Sequence, residues 1–526
     1  MSRIVFDQVE PRALITHALR GARLAPYWLE DAAGLRLAPS RPLVGRAAFD
    51  LVVVGGGYTG LWTALLAKLR DPGLRVAVLE AQTCGWAASG RNGGFVEASI
   101  THGEANGRQR WPKEYGELER LGLENLDQLE AQVAELGIAC DFERTGQLSV
   151  AVEPYQAAEL ASEFAASRPE EPAAASARGA WTAVAARDGA GPAQAPAERD
   201  RMRPSQASAA AVGAARTDRG PEFLDAVQVR EQLDSPTYLA GVWDKDGCAL
   251  VHPAKLALGL AAVARELGVE IFENTGVDGI GQGRNGPVRL TTAGAVVDAE
   301  RVALATNAFP SLLARYRWHT VPVYDYALMT EPLDGAQLAE IGWRGRQGVS
   351  DLANQFHYYR LTSDNRILWG GWEAAYHAGG RVSAAYEDAP GIHAMLASHF
   401  FTTFPALEGL RFTHRWAGAI DTCTRFCQFF GRAMGGRVAY AAGFTGLGVG
   451  ASRFAARVML DQLDGRQTEL TELELVRRAP LPFPPEPLAS AGIGLARRAL
   501  DRSDHREGRR GPLLRTLDAA GLGFDS

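Results

Sequence analysis

The chain has 526 residues, 46% of them hydrophobic, and a formal net charge of −6. This length allows two or three domains, and the acidic balance argues against general nucleic-acid binding, which needs a basic face. Five cysteines are scattered along the chain, so no disulfide framework is expected. No basic stretch followed by an apolar core opens the sequence, and no apolar window of about 18 residues occurs, so we expect a cytoplasmic protein with no membrane contact.

The stretch from Asp50 to Glu80 predicts a dinucleotide site. An apolar, β-branched run at 51–54 is typical of a strand buried on both faces, and residues 75–79 predict a second such strand. Between them, G-x-G-x-x-G opens a helical pattern. Glycines there let the backbone approach a pyrophosphate at the helix N-terminus, while an acidic residue about twenty positions later accepts hydrogen bonds from ribose hydroxyls. The candidates are Gly55, Gly57, Tyr58, Thr59, Gly60 and Glu80.

Two further glycine-rich segments favour FAD over NAD. Residues 84–94 (CGWAASGRNGG) stand where an NAD domain would continue with its next strand and helix. Residues 438–448 predict a strand and a glycine loop, followed by a helix from about residue 451. A site built from both ends of a chain suits a long ligand with ADP at one end and isoalloxazine at the other. The alternative is two unrelated glycine-rich turns.

These motifs resemble the D-amino-acid-oxidase-like family of FAD amine oxidoreductases. The matching pieces are VVVGGGYTG, ASGRNGG, the strand pair around 269–277, and the segments 305–307 (ATN), 358–361 (YYRL) and 443–448 (GFTGLG). The resemblance implies that the ASGRNGG loop lies against the flavin and that the backbone of Val277 holds the adenine end. The cofactor-binding residues expected in these segments are Ser89, Gly90, Arg91, Asn92, Gly93, Gly94, Val277, Thr306, Gly443, Thr445, Gly446, Leu447 and Gly448.

The resemblance also bears on how the flavin is attached. Some sarcosine-oxidase relatives bind FAD covalently through a cysteine, but Cys423 falls too late in the sequence to match it. We therefore expect non-covalent FAD. The stretch 420–425 (IDTCTR) departs from the commoner Thr-Pro-Asp pattern, which leaves the substrate open.

The expected fold class is α/β (α+β overall). It combines a Rossmann-like FAD-binding domain of the glutathione-reductase type with an interleaved substrate domain on a large mixed or antiparallel sheet. The expected parts are a discontinuous FAD-binding domain (46–110, 222–315 and 425–465), a substrate-binding domain (111–164 and 316–424), an Ala/Pro-rich disordered insertion (165–220), and a Pro-rich linker with a basic C-terminal helix (466–526). A solvated helix face is the favoured interpretation of the basic tail, and partner or membrane-surface binding is the alternative.

Amine oxidation on a flavin needs positioning and charge stabilisation, with no metal or protein nucleophile, because the cofactor carries the chemistry. Arg91 could favour negative charge on the reduced flavin or could pin its loop. An aromatic wall of the substrate site is expected from Tyr324, Tyr326, Tyr358, Tyr359, Trp369 and Trp372, with an ordinary sheet core as the alternative for each. Arg360 and Arg415 could each hold a substrate carboxylate or form an inter-domain salt bridge. His357 is a weaker acid/base candidate. No metal site is expected, since the Cys423/Cys427 spacing has no second Cys/His pair nearby.

The leading functional hypothesis is therefore an FAD-dependent oxidoreductase acting on a C–N bond of a small amine or amino acid. Hydride passes to flavin N5, the imine hydrolyses, and oxygen or another acceptor receives the electrons. A 2-hydroxy-acid or polyol dehydrogenase on the same fold is one alternative, and a flavin-binding protein without turnover is another.

Overall fold

The computed structural model describes residues 3–36, 40–167, 220–283 and 286–522. The expected Ala/Pro-rich insertion at 165–220 lies almost wholly outside these ranges. The strands of the described part are, in chain order, β1 (Arg23–Leu24), β2 (Gly45–Val54), β3 (Val76–Leu79), β4 (Phe95–Glu97), β5 (Gln147–Ala151), β6 (Glu222–Asp225), β7 (Ala240–Asp244), β8 (Cys248–Leu250), β9 (Glu270–Phe272), β10 (Val277–Gln282), β11 (Val288–Thr292), β12 (Ala295–Leu304), β13 (Val321–Thr330), β14 (Gly348–Asp351), β15 (His357–Leu361), β16 (Ile367–Gly371), β17 (Ala375–Tyr376), β18 (Phe412–Thr422), β19 (Phe429–Ala433) and β20 (Val438–Ala442).

The α-helices connect and cover these strands. In chain order they are α1 (Arg12–Ala18), α2 (Tyr27–Asp31), α3 (Tyr58–Arg70), α4 (Gly103–Arg110), α5 (Tyr115–Glu135), α6 (Pro154–Ser167), α7 (Ala226–Gln232), α8 (Pro253–Glu266), α9 (Gly335–Ile341), α10 (Pro390–Thr403), α11 (Gly448–Leu463), α12 (Glu469–Glu472), α13 (Glu474–Arg477), α14 (Leu488–Asp504) and α15 (Pro512–Ala519). None of the helices in the described ranges is long and apolar enough to cross a membrane.

The smaller of the two main sheets carries the predicted βαβ unit. Within the described residues it has eight strands, in the order β10-β11-β12-β2-β3-β9, with β20 beside β12 and β19 beside β20. Strands β12, β2, β3 and β9 are parallel, as is the β12–β20 pair, while β10 and β11 extend the sheet antiparallel. Helices α3, α5, α8 and α11 share one core with it, including the fully buried Leu61, Leu260 and Phe454. The predicted strands at 51–54 and 75–79 are present as β2 and β3.

The larger sheet is mixed, as predicted. Its order is β1-β18-β13-β16-β15-β14-β5-β7-β6, with β17 beside β13. Strands β1–β18 and β14–β5 pair in parallel, and the long β13–β18 pair is antiparallel. One face packs on α10, burying Tyr326, Trp369 and Phe400. On the other face, Trp416 packs against Trp28 of α2, so the N-terminal segment covers this part of the sheet.

The structure differs from the sequence prediction for residues 222–244. We expected them in the FAD-binding domain, as the start of its 222–315 part, but β6 and β7 extend the larger sheet, with Trp243 in register with Leu148 of β5. The residue pattern cannot choose between two sheets, because a strand is assigned to its sheet by tertiary pairing rather than by its own propensity.

The C-terminal region forms two helices, α14 and α15, where the sequence suggested one basic helix. Asp504 at the end of α14 is buried and accepts hydrogen bonds from the backbone N (3.2 Å) and Nδ2 (2.6 Å) of Asn354. Arg497 forms an ion pair with Glu373 at 2.6 Å. Helix α14 is therefore anchored to the larger sheet instead of projecting into solvent.

Candidate active site

Four parallel strands of the smaller sheet end at a common edge. Val54 of β2 is in register with Leu79 of β3 and Leu304 of β12, and Leu304 is in register with Tyr440 of β20. The loops at 55–60, 80–94, 305–307 and 443–448 all leave from this edge. Ligands of open parallel sheets bind beyond the carboxyl ends of the strands.

The first glycine loop is packed too closely for side chains. Gly55 has φ +109°, a conformation strained for other residues. A Cβ atom at Gly60 would lie 1.9 Å from the carbonyl oxygen of Gly55, and one at Gly57 would lie 2.9 Å from Ser89 Oγ. Helix α3 starts at once, and its first N–H groups have no partner within the helix. The backbone of Tyr58 donates to Ser89 Oγ at 2.9 Å. This is a cradle for an anionic group at a helix N-terminus.

Glu80 is held beside this loop by its own carboxylate. The side chain is buried, and Oε2 accepts a hydrogen bond from the backbone N of Gly56 at 2.7 Å. Oε1 accepts from Trp86 Nε1 and from the backbone N of Gln82, both at 2.8 Å. The segment leading to Val277 runs alongside, since the N–H of Thr275 donates to the Glu80 carbonyl at 2.7 Å. The acidic residue and the start of β10 therefore flank the same end of the cradle.

Arg91 ties the second glycine-rich loop to the larger sheet. It follows the 3₁₀ helix Ala88–Gly90, and its Nε donates to the Trp86 carbonyl at 2.9 Å. Nη1 donates to the carbonyl of Ala417 in β18 at 3.2 Å and forms an ion pair with Glu387 at 2.7 Å. Both charged side chains are mostly buried, 14% and 22% exposed. The guanidinium therefore has three partners on two sides of the loop.

Tyr358 stands where this loop meets the larger sheet. A Cβ atom at Gly93 would lie 2.7 Å from its Cε2, and one at Gly370 would lie 2.6 Å from its Cζ, so the ring fits between two glycines. Its hydroxyl donates to Asp325 Oδ2 at 2.5 Å. Burial raises the pKa of Asp325 to about 6, although this hydrogen bond lowers it. The pair sits on the sheet face that meets the loop.

Arg360 lies deeper than the sequence suggested. Its side chain is 2% exposed, with Nη1 donating to the carbonyl of Val251 at 2.7 Å and Nε to that of Leu361 at 3.2 Å. Burial lowers the pKa of the guanidinium to about 10. Arg360 therefore joins β15 to the chain before α8 through backbone contacts.

The remaining aromatic and histidine candidates lie mostly in the core. Tyr324, Tyr326, Tyr359 and Trp369 belong to the cluster behind the larger sheet, on the face away from the glycine loops. His357 is also buried there, with Nδ1 2.6 Å from Asp351 Oδ2 and Nε2 3.0 Å from His399 Nδ1. Alternation along a strand predicts that residues divide between two faces but does not say which face meets the site.

Two acidic residues at the site were missed by sequence reasoning. Asp325 stands inside an otherwise apolar strand, and Asp421 stands near the end of β18. The Asp421 carboxylate is 1% exposed and accepts from the backbone N of Gly443 at 2.6 Å and of Phe444 at 3.2 Å. Asp421 thereby shapes the second glycine loop. The available signal was a charged residue among the apolar residues of a strand. Burying a carboxylate lowers stability unless hydrogen bonds or an opposite charge compensate it, so such a residue is worth attention as a site candidate.

The Asp421 carboxyl should make stability depend on pH. Burial raises its pKa to about 7 in the folded protein, against 3.8 ordinarily. As pH rises, the unfolded chain therefore loses this proton at a lower pH than the folded protein does. The free energy of unfolding should therefore fall between about pH 4 and about pH 7 through this group. Denaturant unfolding of ligand-free protein at about pH 5 to 8 should show wild type losing stability relative to Asp421→Asn as pH rises toward about 7.

Asp298→Asn is the matched control for that measurement. Asp298 in β12 is partly exposed, and its hydrogen bond with Arg289 lowers its pKa, so it stays ionised across this range. Its stability difference from wild type should be constant. An Asp421→Asn difference that is equally constant would contradict the assignment.

The family model described as FAD dependent oxidoreductase (DAO) matches residues 50–462. The chain belongs to this family. The match includes all four loops at the strand edge and most of the larger sheet. FAD is therefore the cofactor of this enzyme. The fold is the Rossmann-like FAD-binding fold that the glycine motifs predict.

Individual relatives are similar at modest identity. Gamma-glutamylputrescine oxidoreductase of Escherichia coli is 28% identical over 442 residues, which cover 82% of this chain and 87% of that protein. The probable oxidoreductase OrdL of Haemophilus influenzae is 27% identical over 443 residues, with the same coverage. The crystal structure of glycine oxidase from Geobacillus kaustophilus superposes with a TM-score of 0.59 at 19% identity, covering 82% of this chain and 99% of that one. That likeness shows the fold.

The strand-edge loops fit FAD on geometric grounds. The close approach at Gly57 leaves room for backbone N–H groups but not for a side chain. At the other end of the site, Gly446 has φ +95° and a Cβ atom there would meet no atom within 4 Å, so the loop is open in front of helix α11. The N-termini of helices α3 and α11 thus both lie at this edge of the sheet, where each can bind one polar end of a long ligand.

Proposed function

We propose that this FAD-dependent oxidoreductase oxidises a C–N bond of a small amine or amino acid to an imine, which water then hydrolyses. The observation that carries the proposal is the contact of Tyr358 with Gly93 and Asp325, which sets a carboxylate-bearing sheet face against the glycine-rich loop. An acidic, aromatic surface suits a substrate nitrogen that can be cationic, and it disfavours a 2-hydroxy acid, which is anionic. Two of the similar proteins, gamma-glutamylputrescine oxidoreductase and glycine oxidase, are named for nitrogen-bearing substrates.

FAD supplies the electron acceptor of this reaction when bound, and the chain's own residues bind and orient it. In this proposal the first glycine loop meets the pyrophosphate, Glu80 the ribose, and the backbone at Val277 the adenine end. The flavin end is assigned to the loops at 89–94, 305–307 and 443–448. The residues so assigned are Gly55, Gly57, Tyr58, Thr59, Gly60, Glu80, Ser89, Gly90, Arg91, Asn92, Gly93, Gly94, Val277, Thr306, Gly443, Thr445, Gly446, Leu447 and Gly448.

Non-covalent attachment of FAD is part of the proposal. The Sγ atom of Cys423 is buried and donates to the carbonyl of Cys427 at 3.1 Å and to that of Gly443 at 3.5 Å. Burial also raises the pKa of this thiol, which disfavours the reactive thiolate. The thiol is therefore part of the packing beneath the second glycine loop.

Three side chains have distinct proposed tasks near the substrate. Arg91 fixes the loop that carries it, through its contacts with Trp86, Ala417 and Glu387. Tyr358 presents its ring and hydroxyl to the substrate pocket. Arg360 acts as a positioning residue behind Tyr358, because both of its hydrogen bonds go to backbone carbonyls.

The electrons pass from the enzyme to oxygen or another acceptor in this proposal. We also propose that the enzyme works in the cytoplasm. Its five cysteines are free and buried, which suits a reducing compartment.

Anaerobic reduction by a panel of compounds tests the proposed reaction. Acid treatment of purified protein should first release FAD in an amount equal to the protein. Native protein should then be mixed without oxygen with primary alkylamines, diamines, amino acids, 2-hydroxy acids and polyols. Nitrogen-bearing compounds should bleach the yellow flavin band, and the products should be a carbonyl compound and ammonia or a shorter amine.

The panel contains its own controls. Quaternary ammonium analogues of the reactive amines cannot form a neutral imine and should leave the colour unchanged. Bleaching by 2-hydroxy acids or polyols alone would replace the proposed reaction with the alternative dehydrogenase. Full colour with every compound would favour a flavin protein without turnover, and colour retained in the acid pellet would overturn non-covalent attachment.

A further inference from the structure

We propose that Asp325 binds the protonated amino group of the substrate, so that this enzyme acts on cationic alkylamines rather than on compounds held by their carboxylate. The inference rests on the proposed C–N oxidation and names the substrate class of the same site. It is carried by three observations: a carboxylate without a cationic partner, a glycine opposite it that faces the 89–94 loop, and arginines that are already engaged.

The first observation is the missing counter-charge of Asp325. The side chain is only partly exposed, and its partners are neutral: the hydroxyl of Tyr358, which donates at 2.5 Å, and the backbone of Tyr326 and Gly371. Within the described ranges, no Lys, Arg or His nitrogen lies within ion-pair distance of it. A carboxylate taken out of water is costly unless a cation compensates it. A substrate ammonium group would supply that charge.

The second observation is the glycine directly opposite this carboxylate. Asp325 is in register with Gly418 on β18, and cross-strand partners share one face of a sheet. Two residues further along, Ala327 is in register with Gly370 of β16 on one side and with Trp416 of β18 on the other. The glycines have no side chain to cover the carboxylate, and Trp416 borders it on the same face.

The glycine opposite Asp325 faces the loop assigned to the flavin. A Cβ atom at Gly418 would lie 3.7 Å from the Cβ of Arg91, and one at Gly93 would touch the ring of Tyr358. Both contacts come from the 89–94 loop. The carboxylate, the phenol and this loop therefore lie side by side, with Asp325 on the sheet side.

The third observation concerns the arginines that could have held a substrate carboxylate. Arg360 is buried with its donors on the carbonyls of Val251 and Leu361. Arg91 is paired with Glu387, and Arg415 with Asp388. Each of these candidates is already bonded within the chain. An α-carboxylate beside the reacting carbon would instead meet the negative charge of Asp325.

Titration calorimetry with butyltrimethylammonium tests the inference on FAD-loaded protein. This compound carries the charge of an alkylamine but cannot form a neutral imine, so binding is measured apart from turnover. Wild-type protein should bind it, and Asp325→Asn should weaken binding by about 10²-fold, the scale of removing one member of a desolvated charge pair. FAD content should be unchanged. Asp298→Asn, a partly exposed substitution of the same kind in β12, should bind as wild type does.

Butyrate is the matched ligand of opposite charge. It should bind the wild type more weakly than butyltrimethylammonium and should gain, not lose, affinity in Asp325→Asn. If Asp325→Asn does not retain FAD, Asp325→Ser and the charge-preserving Asp325→Glu replace it, with binding expected only in the latter. Equal ammonium binding by wild type and a folded, uncharged variant would overturn the inference, as would no ammonium binding by wild type.

These outcomes are separable from failure of the proposed reaction. Amines that bleach the flavin together with charge-independent binding would leave C–N oxidation standing and remove Asp325 as the ammonium site. Ammonium binding that depends on Asp325, without bleaching by any amine, would leave the cation site standing and remove the proposed oxidation.

Discussion

Replacing Gly57 by valine should yield a folded protein that purifies without its yellow colour. A Cβ atom at this position already lies 2.9 Å from Ser89 Oγ, and the two further methyl groups would occupy the space in front of helix α3. Overpacking of this kind costs up to about 3 kcal/mol, or about 10²-fold in FAD affinity. Fluorescence titration of the FAD-free variant with FAD would measure the change in Kd.

The control for this variant is Gly116→Val. Gly116 lies in the first turn of helix α5, and a Cβ atom there would meet no atom within 4 Å. It introduces the same side chain without crowding, so FAD affinity should stay within a few-fold of wild type. If Gly57→Val instead retained full FAD occupancy, the first glycine loop would not be the pyrophosphate site.

Arg91→Met should weaken FAD binding strongly while leaving the chemistry of the reconstituted enzyme largely intact. Methionine keeps the apolar stem but removes the bonds to Trp86 and Ala417 and leaves Glu387 without its partner. Breaking a mostly buried ion pair from one side costs about 3 kcal/mol or more, so the Kd for FAD should rise by about 10²-fold. With excess FAD present, the anaerobic reduction rate should fall by less than about 10-fold.

Glu387→Gln separates the ion pair from the rest of the Arg91 contacts. It removes the negative charge but leaves the two carbonyl acceptors of the guanidinium, so its effect on FAD affinity should be intermediate. The opposite pattern for Arg91→Met, with normal FAD binding and reduction slowed by about 10²-fold, would assign Arg91 to electrostatic stabilisation of the reduced flavin. Normal binding with normal reduction would remove it from the site.

The nucleotide-binding half of the fold could be predicted because its signals are local. The run before Gly55, the glycine spacing and the strand that ends at Glu80 lie within about thirty residues, and each element constrains the next. The structure has β2, α3 and β3 at these places, with β2 and β3 in parallel register. A motif of this kind identifies the unit before any long-range contact is known.

The substrate side could be predicted only as a set of strands. The pattern at 356–372 indicates two strands, and β15 and β16 are there. Which face meets the FAD loops depends on pairings such as Asp325 with Gly418, which join residues far apart in sequence. For that reason Tyr326 and Trp369 looked as suitable as Tyr358, and Asp325 was not singled out.

The strand edge that receives FAD is assembled from the two ends of the matched region. Strand β2 at residues 45–54 pairs with β12 some 250 residues later, and β12 pairs with β20 at 438–442. During synthesis on the ribosome, β2 can pair with β3 early, but its pairing with β12 must wait for residue 304 and the β12–β20 pair for residue 442. Such non-local pairing slows folding and exposes nascent chains to aggregation. We therefore expect the yield of active enzyme during expression to depend on chaperone supply and on FAD being present when β20 is complete.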